Sequence, residues 1–304
     1  MEEFSVYILG CGSAKPTLRH QPSCQVVNVH DKLYMIDCGE SAQMGFAKTG
    51  LNIQRLGHIF ITHNHGDHVF GLPGLLSTLA LLGRTADLHI YAPRTLQEYL
   101  DTVLRIYCDG MDYQVLFHAV DPCLNQVVFQ DRSVRVESIP LSHRLPCCGY
   151  RFVEATGLPH IRREMIDAFH IPISQINNIK MGASWTTPDG TFIPHEKLTT
   201  PARQSRSYAY CSDTVFKPDI VPYVSHSDLL YHEATYSGEM ELRATQTLHT
   251  TAPQAARIAL QAEVGKLCIG HFSARIRNEQ ALLDEAKAIF PNCVLANEGL
   301  VIKL

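Results

Sequence analysis

Along the 304 residues, short apolar runs alternate with amphipathic stretches. Runs at 6–9, 25–29, 32–36, 88–91, 115–120, 127–129, 134–139 and 150–153 read as strands, bounded by Gly, Pro, Asn and Asp. Later runs at 208–212, 229–233, 266–270, 292–296 and 300–302 read the same way. Helices are expected over 41–49, closed by Gly50, and over 71–82, closed by Gly83. Another is expected over 95–107, where Leu96, Tyr99, Leu100, Val103, Leu104 and Tyr107 share one face. Thr251 reads as an N-cap with Pro253 in the first turn, and 280–290 as a last helix. Strands that precede and follow helices, with several antiparallel runs among them, predict a layered α/β sandwich.

The pattern breaks where the apolar strand 57–62 runs into His63-Asn64-His65-Gly66-Asp67-His68. Neutral imidazole and carboxylate are the usual nitrogen and oxygen ligands of zinc. Their place between a strand and the apolar helix 71–82 is a loop on a rigid scaffold, where functional groups concentrate. Three further strands each end on a ligand-type residue: His143 after 134–139, Asp213 after 208–212 and His271 after 266–270. Seven candidates are too many for one tetrahedral ion. They divide into His63, His65 and His143 on one side and Asp67, His68 and His271 on the other, with Asp213 able to bridge. Two ions so held could clamp the attacking and leaving oxygens of an in-line displacement, which is hydrolase chemistry suited to phosphodiesters. Asp37, at the end of the strand 32–36, either supports a ligand histidine from behind or caps the following turn.

Composition narrows the setting. A formal charge of −4 does not suggest a general nucleic-acid binder, although a local basic patch fits within it. One such patch is the stretch 155–207, with six Lys+Arg against four Asp+Glu, while the remainder has 20 against 26. This insertion is either an arm that touches phosphates or a solvated loop. Asp189-Gly190 marks a hairpin within it. Met1-Glu2-Glu3-Phe4 has no basic segment followed by an apolar run, so no signal peptide is expected. The apolar stretch 69–82 is interrupted by Gly and Pro and too short for a bilayer, so no membrane partner is expected. Ten cysteines without a Cys-x-x-Cys pair read as free thiols in the cytoplasm.

At this point the chain resembles the metallo-β-lactamase superfamily and, within it, the ribonuclease Z (tRNase Z, short form) family. The superfamily likeness rests on His63-Asn64-His65-Gly66-Asp67-His68 with Asp37, His143, Asp213 and His271. The closer likeness rests on Leu9-Gly10-Cys11-Gly12-Ser13, His232-Glu233-Ala234-Thr235 and His249-Thr250-Thr251, the last similar to the family's His-Ser-Thr loop. It covers essentially the whole chain. The resemblance implies a four-layer αβ/βα sandwich, one domain over 1–304, with the insertion at about 155–207 as a tRNA-binding arm. It also implies a homodimer that cuts 3′ extensions from precursor tRNA, leaving a tRNA 3′-hydroxyl and a trailer 5′-phosphate. Residues 155–207 lack the Gly-Pro commonly found in the family arm, and Ser41-Ala42-Gln43 stands where Gly-Thr-Gln is frequent.

From these readings the expected cofactor is two Zn2+ per chain, with Mn2+ as the alternative at one site. By resemblance Asp67 accepts the proton of the attacking water as well as binding metal. The departing 3′-oxygen calls for a general acid, and His249, oriented by Glu233, is the candidate. His249 could otherwise simply support the helix start beside it. Arg162, Arg163 and Lys180 are the candidate phosphate partners in the arm. Two other readings compete: another hydrolase of the same fold, such as a phosphodiesterase or lactonase, and a metal-stabilised RNA-binding protein without catalysis.

Overall fold

The computed structural model describes residues 3–304, and Met1 and Glu2 of the N-terminal stretch read above lie outside them. In chain order the first half supplies β1 (Phe4–Gly10), β2 (Cys24–Val29), β3 (Lys32–Ile36), β4 (Leu56–Phe60), β5 (Leu88–Pro93) and β6 (Val115–Val120). Next come β7 (Val127–Gln130), β8 (Val134–Pro140) and β9 (Cys148–Glu154). The insertion holds four two-residue strands, β10 (His160–Ile161), β11 (Trp185–Thr186), β12 (Phe192–Ile193) and β13 (Thr199–Thr200). The last third supplies β14 (Ser207–Cys211), β15 (Leu229–Glu233), β16 (Lys266–Gly270), β17 (Cys293–Leu295) and β18 (Val301–Lys303).

These strands form two seven-stranded sheets, ordered β18-β1-β2-β3-β4-β5-β6 and β17-β16-β15-β14-β9-β8-β7. Side-chain alternation explains the layers, because successive residues of a strand face opposite sides. In β3, Tyr34 and Ile36 enter one core with Phe60 and Tyr91, together with Val136, Tyr150 and Phe152 of the other sheet. Leu33 and Met35 enter a second core with Leu72, Leu75, Leu76 and Leu79 of helix Leu72–Leu81 and Leu100 and Val103 of helix Gln97–Tyr107. Beyond the second sheet, Ala255, Ala256 and Ala259 of helix Ala252–Gln261 and Leu282 and Leu283 of helix Glu279–Lys287 extend the first core. The order is therefore helix, sheet, sheet, helix. No helix among the described residues is long and apolar enough to cross a membrane.

The pairing directions decide where functional groups can gather. Strands β3 to β6 run parallel, as do β14 to β17, while β1, β2, β7, β8 and β9 join antiparallel. Parallel neighbours carry their C-terminal ends to one edge, where ligands bind in open α/β sheets.

Residues 154–205 form a compact unit of their own, separate from 1–153 with 206–304. Ile171, Ile179, Ile193 and Leu198 make its small core, and Trp185 Nε1 donates to the carbonyl of Phe169 at 3.2 Å. Strands β11 and β12 pair antiparallel around Gly190, whose φ of +90 answers the Asp-Gly turn signal. The periodicity reading left this unit without helices, yet Arg163–Ala168 and Ile173–Lys180 are helical. Both are under three turns long, and the stripe of Ile173, Ile176 and Ile179 in the second is too short to stand out from the flanking prolines.

Three histidines lie side by side on the first sheet. His58 and His89 stack at 4.9 Å, His89 and His118 at 5.2 Å, and His89 Nδ1 lies 2.9 Å from His118 Nε2. Burial, and then the proximity of His89, pushes His58 down to about 4. An unfolded His58 binds its proton near pH 6.5, so unfolding takes up a proton between the two values. Stability therefore falls as pH drops through that window, by on the order of 2 kcal/mol at pH 5. His58→Phe is expected to keep more of its pH 7.5 stability at pH 5 than the wild type, as measured by urea unfolding. Equal losses in both proteins would remove His58 as the source.

Candidate metal centre and active site

The strand ends bring the seven nominated side chains to one edge of the sandwich. Thr62 and His63 follow β4, His143 follows β8, Asp213 follows β14, and His271 follows β16. Asp67 and His68 sit in one helical turn, Gly66–Val69, rather than in open loop as the sequence suggested. The amide of Phe70 donates to the carbonyl of Gly66 at 2.9 Å and closes that turn. Gly39 lets the neighbouring loop approach it, since a Cβ there would stand 2.5 Å from the Asp67 carbonyl oxygen.

Two donor groups result. The ligand atoms of His63, His65, His143 and Asp213 all lie within 4.8 Å of one another, as do those of Asp67, His68 and His271. Asp213 faces both. Its Oδ2 is 3.7 Å from His63 Nε2 and 3.6 Å from His143 Nε2. Its Oδ1 is 3.5 Å from His68 Nε2 and 3.1 Å from His271 Nε2. Within the first group, His65 Nδ1 stands 2.9 Å from His63 Nε2 and 3.3 Å from His143 Nε2. In the second, Asp67 Oδ2 is 3.6 Å from His68 Nε2 and 3.7 Å from His271 Nε2. Tetrahedral nitrogen ligands about 2.0–2.1 Å from zinc stand about 3.3–3.4 Å apart, so these spacings fit an ion in each group.

Satisfaction of the outer ring nitrogens supports that fit. His68 Nδ1 donates to Asp37 Oδ2 at 2.7 Å, and His143 Nδ1 donates to the Leu248 carbonyl at 2.9 Å. His271 Nδ1 lies 3.0 Å from Thr235 Oγ1, and His63 Nδ1 lies 3.0 Å from Thr62 Oγ1. The inner nitrogens of His68 and His271 are buried and, although Asp213 Oδ1 stands 3.5 and 3.1 Å away, neither makes a well-aligned hydrogen bond among the described residues. A buried imidazole nitrogen left so is costly unless it meets a cation. Asp37 takes hydrogen bonds from the Thr62 amide at 2.8 Å and the Tyr210 hydroxyl at 3.2 Å as well as from His68. Its carboxylate thus braces His68 and the strand end from behind.

Charge points the same way. Burial pushes His63, His65 and His143 below the ordinary histidine range, and neighbouring histidines add to it, so they stand neutral with lone pairs available. Burial also opposes charge on His68, but Asp37, Asp67 and Asp213 outweigh it and raise the group to about 10. Asp213 and Asp67 are held low despite burial, by the ring nitrogens of the histidines that face them. So many buried carboxylates demand positive charge at the centre, which a metal cation standing in place of the His68 ring proton would supply.

His249 enters from helix Glu241–Thr247 through Leu248, whose φ of 58 is left-handed. Its Nδ1 donates to Glu233 Oε1 at 2.8 Å. Glu233 is fully buried, and it also accepts from the amides of Thr214 at 2.9 Å and Thr235 at 3.2 Å and from the Thr235 hydroxyl at 2.6 Å. Burial would lower His249, yet Glu233 and Asp213 raise it to about 9. Asp37 and His271 share the left-handed φ, at 55 and 61. Such a backbone costs on the order of 1 kcal/mol or more per residue and collects at functional sites.

The centre opens into a cleft of about 800 Å³. Lys15, Arg144 and Arg275 line it, none of them signalled by the linear sequence, because each comes from a different loop. Also unsignalled is the amide of Ala14, which donates to Asp67 Oδ2 at 2.7 Å. The Gly-rich turn at 10–13 was the one available hint. Arg162, Arg163 and Lys180 all belong to the separate unit 154–205. Arg163 and Lys180 begin and end helices there, while Arg162 Nε donates to the Thr199 carbonyl at 3.2 Å.

Comparison with known proteins fits this geometry. A family model described as Anti-Pycsar protein Apyc1 matches residues 4–154, just under half of the chain. Ribonuclease Z of Bacteroides fragilis is 54% identical over 304 residues, covering all of both chains. The crystal structure of human tRNase Z, short form, superposes with a TM-score of 0.71 at 25% identity, covering 98% of each chain. The metallo-β-lactamase fold protein YhfI from Bacillus subtilis also gives 0.71, at 17% identity over all of both chains, a likeness of fold. A relative more than half identical over the entire length decides the matter: the chain belongs to the ribonuclease Z family.

Proposed function

We propose that the chain removes 3′ extensions from precursor tRNA by metal-assisted hydrolysis, leaving a tRNA 3′-hydroxyl and a trailer 5′-phosphate. The observation that carries this reading is Asp213, with one carboxylate oxygen toward each of two nitrogen-rich groups. His63, His65 and His143 would hold one ion, Asp67, His68 and His271 the other, and Asp213 both. Nitrogen-rich donors favour zinc, with manganese the alternative at one site. When bound, the ions supply a nucleophile at neutral pH and neutralise charge on the phosphoryl oxygens.

The chain's own residues do the rest. Asp67, held by the Ala14 amide, accepts the proton of the attacking water. His249, its Nδ1 fixed on Glu233, keeps Nε2 for the departing 3′-oxygen and donates a proton there. Lys15, Arg144 and Arg275 along the cleft attract the flanking phosphates, a contact that positions without reading sequence. Arg162, Arg163 and Lys180 of the unit 154–205 serve as remote phosphate partners. The protein works as a homodimer, a reading supported by the exposed Leu81 and Leu82 at the end of one helix and Ile106 and Tyr107 at the end of the helix packed on it. All ten cysteines are free, which suits the reducing cytoplasm.

Cleavage of a precursor tRNA transcript that stops with chelator and returns with zinc tests the reading. A zinc-reconstituted protein that leaves the transcript intact overturns it. Elemental analysis of that preparation should give two zinc per chain, and light scattering a particle about twice the 34.0 kDa chain mass. Asp37→Ala should weaken metal retention by about 10–100-fold, the usual effect of removing a partner behind a ligand histidine. Unaltered retention in a chelator titration would reduce Asp37 to a scaffold role.

His249→Ala is expected to lower the single-turnover rate by about 10²–10⁴-fold with metal content intact. A rate equal to wild type rejects it as the acid.

Removing 156–204 behind a short linker is feasible because Thr156 and Ser205 are hydrogen-bonded at 3.1 Å. The truncated protein should bind precursor tRNA more weakly, with a flatter salt dependence, since fewer counterions are released. Hydrolysis of bis(p-nitrophenyl) phosphate should survive. Normal tRNA binding would make the unit a solvated appendage.

A further inference from the structure

Among the residues lining the cleft, Phe70 is out of character. The others are mostly polar or small, whereas this large aromatic ring is 58% exposed beside them. Covering that much apolar surface is favourable, and a flat aromatic face is best covered by another flat group. The backbone that carries the ring is fixed. Phe70 follows directly on the helical turn Gly66–Val69, and its amide is bonded to the Gly66 carbonyl. The ring itself rests on Gly66, where a Cβ would meet ring carbons at 2.3 and 2.4 Å. Any other residue at 66 would displace it. Backed by glycine and flanked by His65 and Asp67, the ring is held within a few residues of both donor groups.

We propose that Phe70 is a stacking platform for a nucleobase next to the scissile phosphate, and so sets how the cleavage junction is seated. The inference rests on the proposed function, which supplies a nucleic-acid substrate. Every base has a π-face, so such a platform tolerates any sequence, and it complements cations that hold only phosphates. Lys15, Arg144 and Arg275 fix the backbone along the cleft. Phe70 fixes the rotation of the nucleotide about that backbone, which decides whether the phosphodiester faces Asp67 and His249 in line.

The test pairs Phe70→Ala with precursor tRNAs carrying an abasic nucleotide immediately 5′ or immediately 3′ of the cleavage point. In the wild type, one of the two abasic substrates should lose about 5- to 100-fold in kcat/KM, the range expected for one stacked base. Phe70→Ala should lose a similar factor on the intact substrate and little more on that abasic one. Phe70→Tyr should restore the intact-substrate value, and Phe70→Leu, of similar bulk without the π-face, should not. Metal content by elemental analysis checks that the centre has survived each change. If the alanine loss is the same on abasic and intact substrates, or absent altogether, the platform is refuted. A wild type that cuts no precursor tRNA would instead refute the reading beneath it.

Discussion

Two oxygens of one buried carboxylate organise this molecule. Asp213 is 2% exposed, and each of its oxygens faces a separate set of imidazoles. A carboxylate cannot be buried in isolation without a penalty of several kcal/mol. The penalty is offset only if positive charge is held on both sides of it. Everything that fixes the histidines therefore also stabilises Asp213, and the fold can be read as the means of doing so. Strand β14 delivers Asp213 while β15 and β16, parallel and in register with it, deliver Glu233 and His271 from the same edge.

The parts of this arrangement that are local in sequence were legible there. His63, His65, Asp67 and His68 announce themselves by spacing, and His143, Asp213 and His271 by standing just past apolar strands. Parallel pairing aligns the ends of β4, β14 and β16 and so gathers six of the seven, a consequence of topology that alternating strands and helices foreshadow. His143 arrives past the antiparallel β8. Period-two alternation was hidden in strands buried on both faces, yet their apolar runs still marked them. The supporting contacts left no linear trace. The carbonyl of Leu248 holds His143 across 105 positions, and the Tyr210 hydroxyl reaches Asp37 across 173. Backbone acceptors carry no residue signature, and the left-handed φ of Leu248 occurs at a residue type that does not advertise it.

A second buried ion network shows how the cleft wall is tied to the rest of the body. His20 lies between two carboxylates, with Nδ1 3.0 Å from Glu298 Oε2 and Nε2 3.0 Å from Glu279 Oε1. Its ring also packs on Phe272, with centroids 5.6 Å apart. Glu298 raises the histidine against the opposing effect of burial, and His20 in turn helps hold Glu298 below the ordinary carboxylate range. Breaking such a pair from one side leaves a partly buried charge without its counterpart. The network joins the segment after the Gly-rich turn to the segment after His271 and to the last loop of the chain. Those first two segments carry Ala14, whose amide meets Asp67, and Arg275, which lines the cleft.

That linkage changes how the acidic body and the basic cleft should be understood. The formal charge of the chain is −4, and a uniform charge of that sign would repel a polyanion. Its effect is local, because charges more than about 10 Å apart are largely screened at 0.1 M salt. What a phosphate meets on entering the cleft is Lys15, Arg144 and Arg275 with one exposed acid, Glu40, beside them, not the average surface. Several acidic groups behind that wall are already paired: Glu298 and Glu279 with His20, Glu233 with His249, Asp37 with His68. Pairing acids with histidines inside, while leaving lysine and arginine facing outward, lets an acidic protein present a cationic mouth. The composition averages over that partition, and only the fold separates it.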